Sequence, residues 1–117
     1  MRKRTKPQAG LRPVEFQILL VLAQEDLHGY GIIREIEEHS RGQISLEPGT
    51  LYRALRRLAQ QGLVEEAEER PAPEQDDQRR RYFRITGLGR QLASAEAQRL
   101  ERLLQKARSG GLIPEES

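Results

Sequence analysis

Residues 47–62, EPGTLYRALRRLAQQG, are the stretch of sequence that decides the fold. Pro48 suits the first turn of a helix, because its φ is already helical and its missing N–H has no intrahelical partner there. Gly62 suits the position just past a helix end, where a left-handed backbone is favourable without a Cβ. The sequence therefore predicts one helix between these two residues.

The predicted helix has two chemically different faces. Leucines at helical spacing make an apolar stripe, formed by Leu51, Leu55 and Leu58. The rest of the surface is polar or basic and carries no carboxylate: Gly49, Thr50, Tyr52, Arg53, Arg56, Arg57 and Gln60. Arginine can pair bidentately with guanine and glutamine with adenine in a DNA major groove. An ordinary amphipathic surface helix usually carries mixed charges, so this face favours a nucleic-acid contact.

The composition narrows the class of protein. A chain of 117 residues predicts one domain, and with 4% aromatic residues its core must be mainly aliphatic. There is no cysteine, which excludes disulfides and fits a reducing compartment. The longest apolar run, residues 18–23, is too short to cross a bilayer, and no signal-peptide pattern follows the basic start. We therefore expect a cytoplasmic protein with no membrane partner.

Charge is segregated along the chain, although the net charge is only +2. Residues 48–64 and 78–95 contain no Asp or Glu, whereas carboxylates concentrate between Glu65 and Asp77. Such segregation produces a local positive field even when the total nearly cancels. Residues 1–10, with Arg2, Lys3, Arg4 and Lys6, are expected to be a disordered basic arm.

Two further helices are predicted before the basic one. Pro13 opens the first, with Glu15 in its first turn, where the helix dipole favours an anion. Residues 14–23 are apolar almost all round, which predicts burial against a partner chain as well as the core. After a break at residues 25–31, a second helix runs from about Tyr30 to Glu38, with Tyr30 on its inward face. Two short helices joined by a turn, the second bearing arginines, form a helix-turn-helix.

A β-hairpin is predicted next, with strands at residues 63–68 and 80–85 and a proline-rich polar loop between them. Three helices followed by a hairpin make a winged helix with a two-stranded wing. At the base of the wing, Arg79, Arg80 and Arg81 are candidate phosphate contacts. The tip carries Glu74, Asp76 and Asp77, whose carboxylates repel phosphate.

The last predicted helix, capped by Thr86, has a coiled-coil-like apolar seam. We expect dimerisation through this seam and the first helix, with these residues: Phe16, Leu20, Leu92, Ala93, Ala97, Leu100, Leu103 and Leu104. The alternative is that the helix folds back on its own domain. The expected organisation is a mainly α (α+β) chain with a DNA-binding domain at 11–86, a dimerisation helix at 87–108 and a disordered tail at 109–117.

Several motifs resemble those of PadR-like transcriptional regulators. They are HGYGI at residues 28–32, PGTLYRALRRL at 48–58, GLV at 62–64 and RYFRITGLGR at 81–90. The resemblance runs from about residue 11 to about residue 107 and is closest to the small subgroup with a single C-terminal helix. It implies a homodimeric repressor of bacterial genes that binds a palindromic operator in double-stranded DNA. In some members an aromatic or drug-like effector binds between protomers and releases the DNA.

Two other classes of function compete with a DNA-binding repressor. A winged helix can serve as a protein-interaction module whose arginine face docks an acidic partner, and a weak salt dependence of DNA binding would favour it. An enzyme is disfavoured, because the chain has no Cys, two distant His, no Gly-rich phosphate loop and no metal-ligand spacing. We therefore expect no catalytic residue, no metal and no cofactor.

Overall fold

The computed structural model describes residues 10–67 and 81–114. Its helices are α1 (Pro13–Gln24), α2 (Gly29–His39), α3 (Pro48–Gln60) and α4 (Gly87–Ser109). Its strands are β1 (Leu27–His28), β2 (Val64–Glu66) and β3 (Tyr82–Ile85), which form one antiparallel sheet in the order β1-β3-β2. The predicted mainly helical class, with three helices followed by a hairpin and a long last helix, is confirmed.

The helix ends lie close to the predicted positions. Pro48 occupies the first turn of α3, and Gly62 just beyond it has a φ of +79°, the left-handed region that glycine favours. Thr86 caps α4, since its hydroxyl accepts a hydrogen bond from the Gly89 N–H at 3.0 Å. The imidazole of His28 caps α2 in the same way and accepts from the Gly31 N–H. Both polar side chains therefore have the local capping role that their positions indicate.

The sheet contains one strand more than the sequence predicts. β2 pairs with β3 in the expected hairpin, and Phe83 and Ile85 point into the core while Arg84 is exposed. The segment at residues 25–31, predicted as a break, also contains β1, which pairs with the other edge of β3. The predicted two-stranded wing corresponds to β2 and β3, and β1 is a third strand that the sequence did not predict. A strand of two residues shows no alternation of its own, and it forms because β3 offers a free edge.

The core lies between α1, α2, α3 and the sheet. Its fully buried side chains come mainly from the three helices: Ile18, Leu19, Ile32, Ile36, Leu51 and Leu58. The predicted leucine stripe of α3 thus faces inward. Tyr30 was predicted on the inward face of α2, but it is 66% exposed, so that prediction was wrong. Ile32 and Ile36 lie one helical turn apart and set the inward face, which leaves Tyr30 on the other side.

The buried residues of helix α4, Gly89 and Ala93, both lie in its first half. Ala93 is buried, and the Arg90 guanidinium donates to the Ala23 carbonyl at the end of α1. Further along, Leu103 and Leu104 are 53% and 47% exposed. The fold-back alternative therefore accounts for the first half of α4 and leaves the second half of the apolar seam uncovered. Among the helices of the described ranges, none is both long enough and apolar enough to span a membrane.

Candidate nucleic-acid interface

The outer face of α3 is the candidate interface, and we call it the recognition face: Gly49, Arg53, Arg56 and Gln60. All of these residues are exposed, while Leu51 and Leu58 on the opposite side of the helix are fully buried. Burial of the leucine stripe fixes the rotation of α3 about its axis. The arginines and the glutamine are therefore held pointing away from the domain.

The two arginines of the recognition face carry charge that no carboxylate among the described residues neutralises. Arg53 donates from Nη2 to the Thr50 hydroxyl at 3.4 Å, a long contact within the same helix. Within the described part of the chain, neither Arg53 nor Arg56 forms an ion pair with a carboxylate. A guanidinium free of carboxylates can use its fork of donors on a guanine edge or a phosphate.

The N-terminus of α3 adds backbone donors beside these arginines. Gly49 and Thr50 lie in the first turn, where N–H groups have no intrahelical partner and the dipole favours an anion. A phosphate close to this end would meet both features. The first turn can therefore position a DNA backbone while the middle of the helix contacts bases.

Tyr52 has a packing role that the sequence did not reveal. Its ring lies edge-on to Phe83 of the wing, with centroids 6.5 Å apart, and the residue is 42% exposed. A Cβ at Gly29 would lie only 2.2 Å from the Tyr52 hydroxyl oxygen, so the phenol packs directly on the start of α2. Tyr52 thus joins α2, α3 and the wing. Its predicted contact with DNA stays a prediction.

Arg57 differs from the other arginines of α3, because a buried carboxylate holds it. Its Nε donates to Oε2 of Glu15 at 2.9 Å, and the Glu15 side chain is 1% exposed. Arg57 thus has a carboxylate partner on another helix, and its predicted contact with DNA stays a prediction. The two residues lie 42 positions apart in the chain, so no local pattern in the sequence predicts their contact. The position of Glu15 within an apolar helix was the one available signal.

The two wing arginines that the structure describes, Arg81 and Arg84, are also paired. Arg81 lies 3.6 Å from Glu66 of β2, and Arg84 donates to Asp26 at 3.1 Å. Arg81 therefore offers DNA a partly compensated charge. Arg79 and Arg80, together with the acidic tip residues Glu74, Asp76 and Asp77, lie outside the described residues.

A cleft of about 190 Å³ separates the recognition face from the wing. Its walls are built from α3 and the two wing strands: Tyr52, Leu55, Arg56, Ala59, Val64, Glu65, Glu66, Arg81 and Phe83. Both arginines and both glutamates lie near solvent, while Leu55, Val64 and Phe83 belong to the buried core. Within the described ranges, no group of His, Cys, Asp or Glu side chains could hold a metal ion.

The residues predicted for dimerisation lie on α1 and α4, and most of them are exposed or half-buried. On α1, Leu20 is 37% exposed and Phe16 is half-buried. On α4, Ala93 is buried, Leu92 and Leu100 are half-buried, and three residues are exposed: Ala97, Leu103 and Leu104. Beside this seam, the hydrogen bonds that Arg99 donates to Glu96 lower the pKa of that carboxyl. Because α4 packs on α1, the exposed apolar residues of these two helices lie in neighbouring parts of the domain.

This combination of a helix-turn-helix, a buried-leucine recognition helix and a hairpin wing defines a winged-helix DNA-binding protein. Residues 18–95 match the model of the PadR-like family of transcriptional regulators. The chain belongs to this family, as its motifs predict. It is therefore a transcriptional regulator of a DNA-binding family, and the prediction that it is not an enzyme is confirmed by this membership.

Individual proteins agree with the family assignment. The chain is 32% identical to the transcriptional regulator Rv3488 of Mycobacterium tuberculosis over 83% of this chain and 84% of that protein. It superimposes on a PadR family transcription regulator from Clostridium difficile with a TM-score of 0.67 and 27% identity, covering 86% of this chain and 98% of that one. It is 40% identical over 86 residues to an uncharacterized protein in transposon TN4556 of Streptomyces fradiae. That match covers 74% of this chain but only 22% of the longer transposon protein.

Proposed function

We propose that the protein is a homodimeric repressor whose two α3 helices bind a palindromic operator. The observation that carries the proposal is the recognition face, where Arg53 and Arg56 are exposed and have no carboxylate partner within the described ranges. The two described wing arginines, Arg81 and Arg84, are by contrast paired with carboxylates. A helix that keeps its cations free above a buried leucine stripe is suited to an anionic partner of regular shape.

Dimerisation is supported by the apolar residues that one domain leaves uncovered. Leu103 and Leu104 on α4 and Leu20 on α1 are each at least 37% exposed. A seam of this kind on a helix is buried when a second helix packs against it. In the proposed dimer, α4 of one protomer contacts α1 and α4 of its partner.

The dimer gives the operator its geometry. Two recognition helices related by a twofold axis contact half-sites about 34–36 Å apart, one helical turn of DNA, or a multiple of it. A duplex selected from a random pool should therefore be palindromic. Inserting about five base pairs between its half-sites rotates one groove to the opposite side of the helix and should abolish high-affinity binding.

The matched control is an insertion of a full turn, about ten base pairs, which moves one half-site without rotating it. An operator that tolerates the half-turn insertion as well as the full-turn insertion would contradict twofold docking. Binding whose affinity barely changes with salt would instead favour the protein-interaction module, because phosphate contacts release counterions.

Repression and release by an effector complete the proposal. A dimer seated on an operator within a promoter prevents access of other proteins to the same DNA, which makes repression the direct consequence of binding. A small aromatic or drug-like effector between the protomers is supported by the family resemblance. The test is to titrate the operator complex with planar aromatic compounds. An effector should reduce operator binding by the wild type, and it should reduce binding by the variant Phe16→Ala less.

A further inference from the structure

One charged side chain is buried within the described ranges, and it belongs to Glu15 near the start of α1. Burying a carboxylate is unfavourable unless hydrogen bonds and an opposite charge compensate it. The contacts that compensate Glu15 therefore indicate what the residue does.

Both oxygens of the Glu15 carboxylate are used, and they connect different parts of the domain. Oε1 accepts from the backbone N–H of Arg12, the residue that precedes α1, at 3.0 Å. Oε2 accepts from Nε of Arg57 in the third turn of α3 at 2.9 Å. Arg57 is itself 41% exposed, so the remainder of its guanidinium is close to solvent. The carboxylate thus fixes the start of α1 to the flank of the recognition helix.

A contact of this kind is a poor device for stability alone. Replacing a buried ion pair with apolar residues of similar volume often leaves a protein equally stable, because desolvation offsets the attraction. The best-attested use of buried polar groups is to specify one arrangement of the packed elements among several. Apolar contacts between α1 and α3 tolerate small rotations, whereas a charged hydrogen bond has a defined direction.

We propose that Glu15 is a positioning residue for DNA binding, which holds α3 at one angle to α1 through Arg57. The inference rests on the proposed function, since α1 is the helix that contacts the partner protomer in the dimer. Helix α1 then provides both the dimer contact at Leu20 and the ion pair from Glu15 to α3. The Glu15–Arg57 pair therefore sets the separation of the two recognition helices, and with it the half-site spacing that the dimer accepts.

The experiment compares the wild type with Glu15→Gln on a series of operators. The series keeps the selected half-sites and changes their separation by one or two base pairs in either direction. Glutamine keeps the size of the side chain and an acceptor for the Arg12 N–H, but it loses the charge that holds Arg57. The matched control is Glu38→Gln, which removes an exposed carboxylate from α2.

We expect the wild type to prefer one spacing strongly and Glu15→Gln to bind that spacing at least about tenfold more weakly, a change of about 1.4 kcal/mol. The same variant should lose much less on the altered spacings, so its spacing profile becomes flat. It should remain dimeric, and its salt slope should steepen by at most about 0.9, because Arg57 loses its carboxylate partner and becomes available to one phosphate. Glu38→Gln should reproduce the wild-type profile.

A double-mutant cycle identifies the route through Arg57. If Glu15 acts through Arg57, then Arg57→Gln and the double variant should give the same flattened profile as Glu15→Gln, with effects that are not additive. If Glu15→Gln does not fold, Arg57→Lys serves instead. Lysine keeps the charge beside Glu15 but cannot reproduce the Nε hydrogen bond, and it should flatten the profile in the same way.

The outcomes separate this inference from the proposed function. A wild type that binds no operator, or binds all spacings equally, overturns both. A wild type with a strong preference that Glu15→Gln retains overturns the positioning role and leaves the dimeric repressor standing. Glu15→Gln could also lower the melting temperature and leave the spacing profile unchanged when binding is measured well below that temperature. This result would likewise overturn the positioning role.

Discussion

The recognition helix and the base of the wing both present arginines, but the domain treats them differently. On α3, Arg53 and Arg56 have no carboxylate partner in the described part of the chain. At the wing, Arg81 is paired with Glu66 and Arg84 with Asp26. Exposed pairs of this kind contribute little to stability, about 0–1 kcal/mol, but they reduce the charge available to DNA. The difference suggests that α3 reads the operator while the wing makes a weaker backbone contact.

Breaking the dimer should reduce operator affinity most, because two copies of α3 then no longer bind the DNA together. Leu104→Glu places a carboxylate in the proposed seam, where burial without a partner costs several kcal/mol, about 3–5. Leu104 is 47% exposed in the single domain, so the fold of the protomer should survive. Light scattering should show that the variant is a monomer. In a DNA-binding titration, its operator affinity should fall to that for a single half-site.

Gln105→Glu is the matched control for this variant. It adds the same charge one position further along α4, at an exposed residue that is not part of the predicted seam. It should leave the dimer intact. A wild type that is monomeric at micromolar concentration would contradict the dimer, as would a Leu104→Glu variant that remains dimeric.

At the start of α4, Gly89 packs closely against the segment that follows α3 and against the wing strand β3. A Cβ at Gly89 would lie 2.2 Å from the Leu63 carbonyl oxygen and 2.8 Å from Ile85. Gly89→Ala should therefore lower the free energy of unfolding by about 1–3 kcal/mol, the usual range for overpacking. Urea unfolding measures the change. Gly87→Ala is the control in the same helical turn, since its Cβ meets nothing within 4 Å, and it should not destabilise the protein.

A smaller effect is expected from releasing a wing arginine. Glu66→Gln removes the partner of Arg81, so an additional cation becomes available to phosphate. Binding to scrambled duplexes should tighten severalfold, and the salt slope should steepen by at most about 0.9, the value for one phosphate contact. Glu65→Gln removes the same charge from the neighbouring residue, which forms no ion pair within the described ranges. Equal effects of the two variants would mean that total charge matters and the pair does not.

The sequence predicted the recognition helix well because its signals are local. Pro48 and Gly62 mark its ends through their backbone preferences, and the leucine spacing fixes its buried side. The hairpin was likewise visible from the alternation around Phe83 and Ile85. Three of the four family motifs lie in or next to these two regions, at residues 48–58, 62–64 and 81–90.

The parts that were missed depend on contacts between distant segments. β1 is two residues long and exists because it pairs with β3. The partner of Arg57 is a glutamate on another helix, and the partners of Arg81 and Arg84 lie on other strands or loops. Periodicity shows which side of an element is buried, but it does not show which surface charges will meet. The distinction between free and paired arginines therefore needed the structure.

One titration shows whether α3, and not the wing, supplies the sequence specificity of DNA binding. The affinities of Arg53→Ala and Arg81→Ala are measured on cognate and scrambled duplexes over several salt concentrations. Arg53→Ala should lose about 1–3 kcal/mol on the cognate duplex and reduce the cognate-to-scrambled ratio. Arg81→Ala should weaken both duplexes equally and slightly. If Arg53→Ala keeps the ratio while Arg81→Ala abolishes it, the wing reads the sequence and the proposed role of α3 is wrong.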